Sequence, residues 1–102
     1  MGIFGIGDEK VNVIAEIRAK AGCEDAMRAM LTALVTSSLA EKGCKLYRLH
    51  EDKKTPGLFY TYEEWGNETT MNEHLIGTRQ TMEQAKTLLD GSVKISVLKL
   101  LV

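Results

Sequence analysis

A run of eight residues in the middle of the chain, LFYTYEEW, constrains the fold more than any other part of the sequence. The run is rich in aromatic residues, which favour extended backbone. Gly66-Asn67 follows it and supplies a turn and a candidate helix N-cap. The stretch from Leu58 to His74 therefore predicts a strand, a turn and a helix that carries His74.

Both faces of this predicted strand carry aromatic side chains. Successive side chains of a strand point to opposite faces of the sheet. One face holds Phe59, Thr61, Glu63 and Trp65, and the other holds Tyr60, Tyr62 and Glu64. Because a strand with aromatic groups on both faces is normally covered on both, we expect helices over one face and a partner subunit over the other.

Length and charge limit the classes of protein to which the chain belongs. Its 102 residues suffice for one domain with a single core. The 13 basic and 14 acidic residues leave a formal net charge of −1, which argues against nucleic acid as a partner. No apolar run approaches the roughly 18 residues that span a bilayer, and residues 1–10 lack the features of a secretion signal. We therefore expect a cytoplasmic protein with no membrane partner, in which Cys23 and Cys44 stay reduced.

The spacing of apolar residues predicts four strands and two helical regions. The strands cover Lys10 to Ala19, Cys44 to Asp52, Leu58 to Trp65 and Val93 to Val102. Residues 1–9 hold three glycines and show no periodicity, so they predict a flexible N-terminal arm. A single domain is expected at residues 10–102.

The two helical regions are bounded by capping residues and glycines. The first begins at Glu24 and runs to about Lys42, where Gly43 stops it. The second begins near Asn67 or Thr70, is interrupted at Gly77-Thr78, and resumes until Asp90-Gly91.

The order of these elements, βαββαβ, is that of a ferredoxin-like α+β fold, in which both helices cover one face of a four-stranded sheet. The other face has no cover within the chain, although the first, third and fourth strands carry apolar residues on both faces. A homodimer that buries this face is therefore expected.

Three segments of the chain resemble a known family, the antibiotic biosynthesis monooxygenase domain. They are VIAEIRAKAG in the first strand, EKGCKLYRLHED at the second, and FYTYEEW followed by His74 in W-x8-H spacing. The resemblance covers residues 11–101 and implies a dimeric α+β barrel with a pocket between sheet and helices. It also implies oxidation of phenolic small molecules by molecular oxygen without metal or flavin. The chain departs from the family at Arg79, where many members have a second histidine.

Two titratable residues are candidates for a catalytic base. A histidine at position 74 is able to accept a proton from a phenol or an enol, which makes the substrate electron-rich enough to react with oxygen. The alternative for His74 is a packed helix histidine bonded to a backbone carbonyl. Glu63 shares a strand face with Trp65, so a buried carboxylate there needs a partner or a raised pKa. An ion pair with Arg18 or Arg48 is its alternative role.

Five further residues are candidates for substrate binding. Trp65 offers a flat apolar wall, and Tyr47, Tyr60 and Tyr62 offer hydroxyl groups. Core packing is the alternative for Trp65, and a dimer interface is the alternative for the tyrosines. Arg79 is a candidate for holding an anionic group, with a solvated helix surface as its alternative.

No cofactor motif accompanies these candidates. The sequence has no Gly-rich phosphate loop, no cluster with metal-ligand spacing and no nucleophile signature. Together with this absence of cofactor motifs, the family resemblance implies a cofactor-independent monooxygenase of a quinol-like or polyphenolic small molecule, with no metal.

Two alternative functions remain open. The isomerase that processes phosphorylated autoinducer-2 shares an FY-x-YE run with Phe59 to Glu63, so an isomerase of a phosphorylated keto-sugar is the first. The second is a non-catalytic dimeric binding or stress module, in which Glu63 and His74 are both held in structural bonds.

Overall fold

The computed structural model describes residues 9–102, so the predicted N-terminal arm lies, except for Glu9, outside the described residues. Four strands and two helices follow in the predicted order. They are β1 (Val11–Arg18), α1 (Glu24–Leu39), β2 (Cys44–Glu51), β3 (Leu58–Trp65), α2 (Glu68–Gln84) and β4 (Lys94–Leu98), with a short 3-10 turn at Lys86–Leu88. The ferredoxin-like α+β fold is thereby confirmed.

The sheet has the order β2-β3-β1-β4, and all of its strand pairs are antiparallel. The aromatic strand β3 is therefore internal, between β1 and β2. The register sets Glu63 opposite Val13 on one side and opposite Tyr47 on the other. This register places a carboxylate in the middle of the sheet, on the face that the helices cover.

Two apolar clusters fill the layer between sheet and helices. The first contains Met27 and Leu31 of α1 together with strand residues such as Ile17 and Phe59, and the second packs Met71 of α2 against Trp65. Each fully buried side chain of this kind contributes about 1.5–3 kcal/mol to stability. The polar site described below lies at Glu63, on the same covered face as these clusters.

Helix α1 ends at Leu39, three residues before the predicted end at Lys42. Beyond Leu39 the chain tightens into turns, in which the Glu41 N–H donates to the Ser38 carbonyl and the Cys44 N–H donates to the Glu41 carbonyl. These turns bring Gly43, with φ +85°, against the first turn of α2, where a Cβ atom would overlap the side chain of Thr70. The prediction was wrong here because this contact between two distant segments has no local signal.

Helix α2 begins as predicted, with the Asn67 side chain accepting from the Thr70 N–H. It then continues without a break through Gly77, where an interruption was predicted. A glycine inside a helix costs about 1 kcal/mol relative to alanine. The helix buries Met71 on one side of Gly77 and Met82 on the other, and this gain exceeds the cost of the glycine.

The opposite face of the sheet is not covered by the described part of the chain. Tyr60 and Tyr62 are half-buried there, and the Asn12 side chain donates to the Tyr62 hydroxyl over 2.9 Å. Most of the exposed large apolar residues of the described chain lie on β4 and after it, and include Val97 and Leu101. None of the helices in the described residues has the length and apolar character needed to cross a membrane.

Candidate active site

Glu63 is a buried carboxylate held by residues of its own strand. Its side chain is 3 % exposed. Thr61 Oγ1 donates to Oε2 over 2.7 Å, and Trp65 Nε1 donates to Oε1 over 2.9 Å. All three residues lie on one face of β3 because strand side chains alternate. These bonds offset much of the cost of burying the carboxylate. The alternative pairing with Arg18 or Arg48 was wrong, and Arg48 lies on the opposite face.

His74 lies above Glu63, on the buried face of α2. Its side chain is 1 % exposed, and Nε2 lies 3.5 Å from Glu63 Oε1. Nδ1 lies 3.0 and 3.2 Å from the two oxygens of Glu41, and Nε2 lies 3.1 Å from Thr78 Oγ1. The imidazole is therefore bound by side chains on both edges. A bond to a backbone carbonyl, the expected alternative, is not among its contacts in the described residues.

The carboxylate contact indicates where the imidazole carries its proton. An ionised carboxylate only accepts hydrogen bonds, so Nδ1 donates its proton to Glu41. In the neutral ring Nε2 then keeps a lone pair, which accepts from the Thr78 hydroxyl. A second proton at Nε2 produces an imidazolium between Glu41 and Glu63, and both negative charges stabilise it. The geometry thus suits a base that accepts a proton at Nε2.

Two aromatic rings fix the position of the imidazole. The Trp65 ring is tilted by 32° against it at a centroid distance of 4.5 Å, and the Tyr47 ring meets it edge-on at 5.4 Å. Burial raises the pKa of the Tyr47 hydroxyl well above its usual range, and the charge of Glu63 adds to this shift. Tyr47 therefore stays protonated at neutral pH.

A small cavity adjoins these groups and is called the inner cavity below. Its volume is about 20 Å³, and its lining includes Tyr47, Glu63 and His74. Trp65 stands behind the imidazole and is not part of this lining. The volume admits one molecule of the size of water, not an aromatic ring.

A larger cleft of about 440 Å³, the outer cleft, lies between α2 and the beginning of β4. It has the size of a small-molecule site. The two spaces share Leu75, Thr78, Met82, Val93 and Ile95 as lining residues. Thr78 is the only polar residue that the described part of the chain contributes to both. Its hydroxyl therefore connects the outer cleft with the imidazole.

The structure brings together four of the residues singled out from the sequence, namely Tyr47, Glu63, Trp65 and His74. Tyr60 and Tyr62 are separated from them by the sheet, because they lie on its opposite face. Arg79 is exposed on α2 and lines the outer cleft at a distance from the imidazole contacts.

Three polar partners in the site were missed by sequence reasoning. Thr61 and Thr78 had a detectable signal, since each shares an element face with a candidate, at i−2 on the strand and at i+4 on the helix. Glu41 had no local signal, because it precedes His74 by 33 residues and lies between α1 and β2.

Other chemistries find little support in the described residues. They contain no group of three or more His, Cys, Asp or Glu side chains placed to hold a metal ion. Burial raises the pKa of the Cys44 thiol, and the charges of Glu41 and Glu63 raise it further. Cys44 is therefore a weak nucleophile at neutral pH, since the thiolate is the reactive form.

Comparison of the sequence with known families gives a match over most of the chain. The model of the family "Antibiotic biosynthesis monooxygenase" matches residues 10–80. A Mycobacterium tuberculosis protein named "Putative monooxygenase Rv0793" is 33 % identical over 64 residues. This match spans 63 % of the present chain and 62 % of the length of that protein.

Solved structures agree with this match. The structure of Rv0793 has a TM-score of 0.83 at 29 % identity, covering 92 % of this chain and 97 % of that chain. PA3566 from Pseudomonas aeruginosa has a TM-score of 0.82 at 34 % identity, covering 91 % and 95 %. The resemblance seen in the sequence motifs is thus confirmed, and the chain belongs to the antibiotic biosynthesis monooxygenase family.

Proposed function

We propose that the protein is a cofactor-independent monooxygenase that oxidises a quinol-like or polyphenolic small molecule. One observation carries this proposal. The buried His74 imidazole lies between the half-exposed Glu41 and the buried Glu63, and the Thr78 hydroxyl connects it to a cleft of about 440 Å³. Membership in a monooxygenase family supports the general class of reaction.

In the proposed reaction, His74 is the base. A phenol in the outer cleft gives its proton to Nε2, either directly or through the Thr78 hydroxyl. The imidazolium is stabilised by Glu63 and Glu41 on its two sides. The phenolate left in the cleft is electron-rich and reacts with dioxygen.

The overall change balances without any further reductant or oxidant. A phenol with a free para position reacts with one dioxygen molecule to give a quinone and one water. One oxygen atom becomes the new carbonyl oxygen. The other leaves as water with the phenolic hydrogen, returned from His74, and the hydrogen lost from the ring carbon.

Charges at the outer cleft favour a substrate with an anionic group. Arg79 and Lys86 both line the cleft, and Lys86 is paired with Glu83 over 3.1 Å. Arg79 has no such partner among the ion pairs of the described residues. Its guanidinium is therefore the better candidate to bind a carboxylate at the outer end of the substrate.

The same two cations keep the isomerase of a phosphorylated keto-sugar as a second candidate. A phosphate at Arg79 and Lys86 would leave the carbonyl end of the sugar near Thr78 and His74. Such an enzyme works without oxygen. Turnover of a phosphorylated keto-sugar under anaerobic conditions would distinguish it from the oxygenase.

A non-catalytic binding module shares part of the observed geometry, since Glu63 and His74 are both engaged in bonds with neighbouring side chains. A binding module differs from the two candidate enzymes because it would not convert its ligand into a product. A ligand would bind in the outer cleft and be recovered unchanged.

The test of the oxygenase is oxygen uptake with a panel of quinols and polyphenols. Removing the base lowers the rate by roughly 10²- to 10⁴-fold if His74 transfers the proton. His74→Asn and the isosteric Glu63→Gln variants are compared with the wild type, with circular dichroism to verify their folding. The proposal fails if no compound in the panel is consumed faster by the wild type than by His74→Asn.

Thr78 offers a matched pair of control variants. Thr78→Val keeps the shape of the side chain and removes the hydroxyl, whereas Thr78→Ser keeps the hydroxyl. Loss of one hydrogen bond to the base corresponds to a fall of about two- to tenfold in kcat. We expect this fall in kcat for Thr78→Val and not for Thr78→Ser. Equal kcat values for the two variants would remove Thr78 from the proton path.

A further inference from the structure

The inner cavity differs in character from the outer cleft. Almost all of its accessible wall is apolar, formed by side chains such as Ala15, Leu34 and Met82. The outer cleft, in contrast, carries charged side chains at its rim. An apolar space of about 20 Å³ beside a buried carboxylate and imidazole calls for a specific occupant.

Water is a poor occupant of this cavity. A buried water molecule typically makes about three hydrogen bonds to groups that would otherwise be unsatisfied. Here both oxygens of Glu63 already accept hydrogen bonds, and both ring nitrogens of His74 have partners. An apolar diatomic molecule requires no such partners, and the cavity volume of about 20 Å³ exceeds the roughly 10–15 Å³ that one water molecule needs.

We propose that the inner cavity is a binding site for dioxygen. This proposal rests on the proposed function, because it places the second substrate of that reaction. The cavity and the outer cleft share Leu75, Thr78 and Met82, so a bound oxygen molecule lies next to the end of the cleft where a phenol reaches Thr78. Dioxygen is thereby held in place before the phenolate forms.

A matched pair of alanine variants tests the site. Ala15 and Ala19 lie on the same face of the same part of the chain, and each is 7 % exposed. Ala15 lines the inner cavity, whereas Ala19 does not. Ala15→Val is expected to fill the cavity, and Ala19→Val serves as the control for a valine introduced at a buried position.

The measurement is NMR of methyl groups in the wild type and both variants under increasing pressure of dioxygen. The Leu34 and Met82 methyls are expected to show a saturable response, and the exposed Ile76, at 61 %, only a linear one. Ala15→Val loses the saturable response and raises KM for dioxygen at unchanged KM for the phenol. Ala19→Val retains the wild-type behaviour.

The outcomes separate this proposal from the proposed function. A linear response of the wild-type Leu34 and Met82 methyls, or a long-lived water detected beside them, overturns the dioxygen site. Oxygen consumption with a linear response leaves the monooxygenase intact and removes only the site. A saturable response without oxygen consumption by any phenol supports the gas-binding cavity and overturns the oxygenase.

Discussion

Glu41 determines what the buried imidazole is able to do. It reaches His74 from the turn after α1, and its side chain remains 38 % exposed while that of His74 is 1 % exposed. Its two oxygens accept from Nδ1, which leaves Nε2 to face Glu63 and Thr78. Glu41 is thus a positioning residue, in the sense that an acidic partner fixes the tautomer of a catalytic histidine.

A Glu41→Gln variant tests this role. The amide group of glutamine is able to donate to Nδ1, which favours the opposite tautomer and occupies Nε2 with a proton. We expect kcat to fall by about 10²-fold or more, as for other losses of a base. Nitrogen NMR of the imidazole should show the proton moved from Nδ1 to Nε2. The exposed Glu73→Gln is the control, and an unchanged tautomer in Glu41→Gln would contradict the assignment.

At the residue scale, contacts between side chains were predictable from the sequence where both residues lie on the same strand or helix. Glu63 and Trp65 were recognised as neighbours because strand side chains alternate, and Trp65 Nε1 does donate to Glu63. The partner of His74 was not predictable in this way, since Glu41 meets it only after the sheet and both helices have packed. Arg79 was singled out because it stands where many family members have a second histidine, and it lies at the outer cleft, where its role remains a proposal.

Helix α2 carries His74 and Thr78 of the site, and it also contains Gly77, the residue with the lowest helix propensity in this helix. Gly77 is exposed within the helix, and a Cβ atom there would meet no other atom within 4 Å. Gly77→Ala is therefore expected to raise the free energy of unfolding by about 0.5–1 kcal/mol. Urea denaturation measures this change. Gly43→Ala should act in the opposite direction because of its positive φ and the overlap with Thr70, and a stabilised Gly43→Ala would refute this account.

Helix α1 is attached to the end of β2 by an ion pair that depends on pH. Arg28 donates two hydrogen bonds to Glu51, at 2.8 and 2.7 Å, and the Gly57 N–H donates a third at 3.0 Å. The Arg28 bonds, followed by the Gly57 bond, lower the pKa of Glu51 from 4.5 to about 2.

A carboxyl group with a depressed pKa stabilises the folded state above the unfolded value, and this contribution is lost as pH falls through the folded value. Glu51→Gln should therefore be less stable than the wild type at pH 7, and the difference should shrink between pH 4.5 and about 2. Urea midpoints of both proteins across this range provide the measurement. A constant difference would show that the charge of Glu51 is not its source.

At the element scale, the positions of β1 and β3 were predictable because their period of two is strong. The prediction for β4 was wrong at its end, because the strand ends at Leu98 and not at Val102. The ends of the helices were less predictable from the sequence. The end of α1 depends on the contact of Gly43 with Thr70, and the continuity of α2 depends on burial of Met71 and Met82 against the sheet. Both are tertiary effects that override the local signal of a glycine.

The whole molecule leaves apolar surface on its edge strand. On β4, Val97 is 53 % exposed, and Leu98, opposite Asn12 on the uncovered face, is 39 % exposed. Leu101, farther along the chain, is 84 % exposed. Contiguous exposed apolar surface of this kind marks an interface. We therefore propose an obligate homodimer, the assembly expected from the sequence, with an interface of upwards of roughly 2,000 Å².

Light scattering at low micromolar concentration tests the dimer. The predicted result is a particle of about twice the chain mass of 11.3 kDa. Val97→Asp, on the exposed edge strand, should weaken the association, whereas Thr36→Asp, on the exposed surface of α1, should not. A stable folded wild-type species near 11.3 kDa would contradict the proposal.

The most direct test of the central claim follows the oxygen atoms. A phenol consumed in the oxygen-uptake panel is incubated with the protein under isotopically labelled dioxygen, and the product is reduced at once so that its carbonyl groups do not exchange with water. For the wild type, we predict one labelled oxygen atom in the product and the other in water. For His74→Asn, we predict that neither the labelled product nor the labelled water forms. A product whose new oxygen comes from unlabelled water, or one formed equally well without dioxygen, would contradict a monooxygenase with His74 as its base.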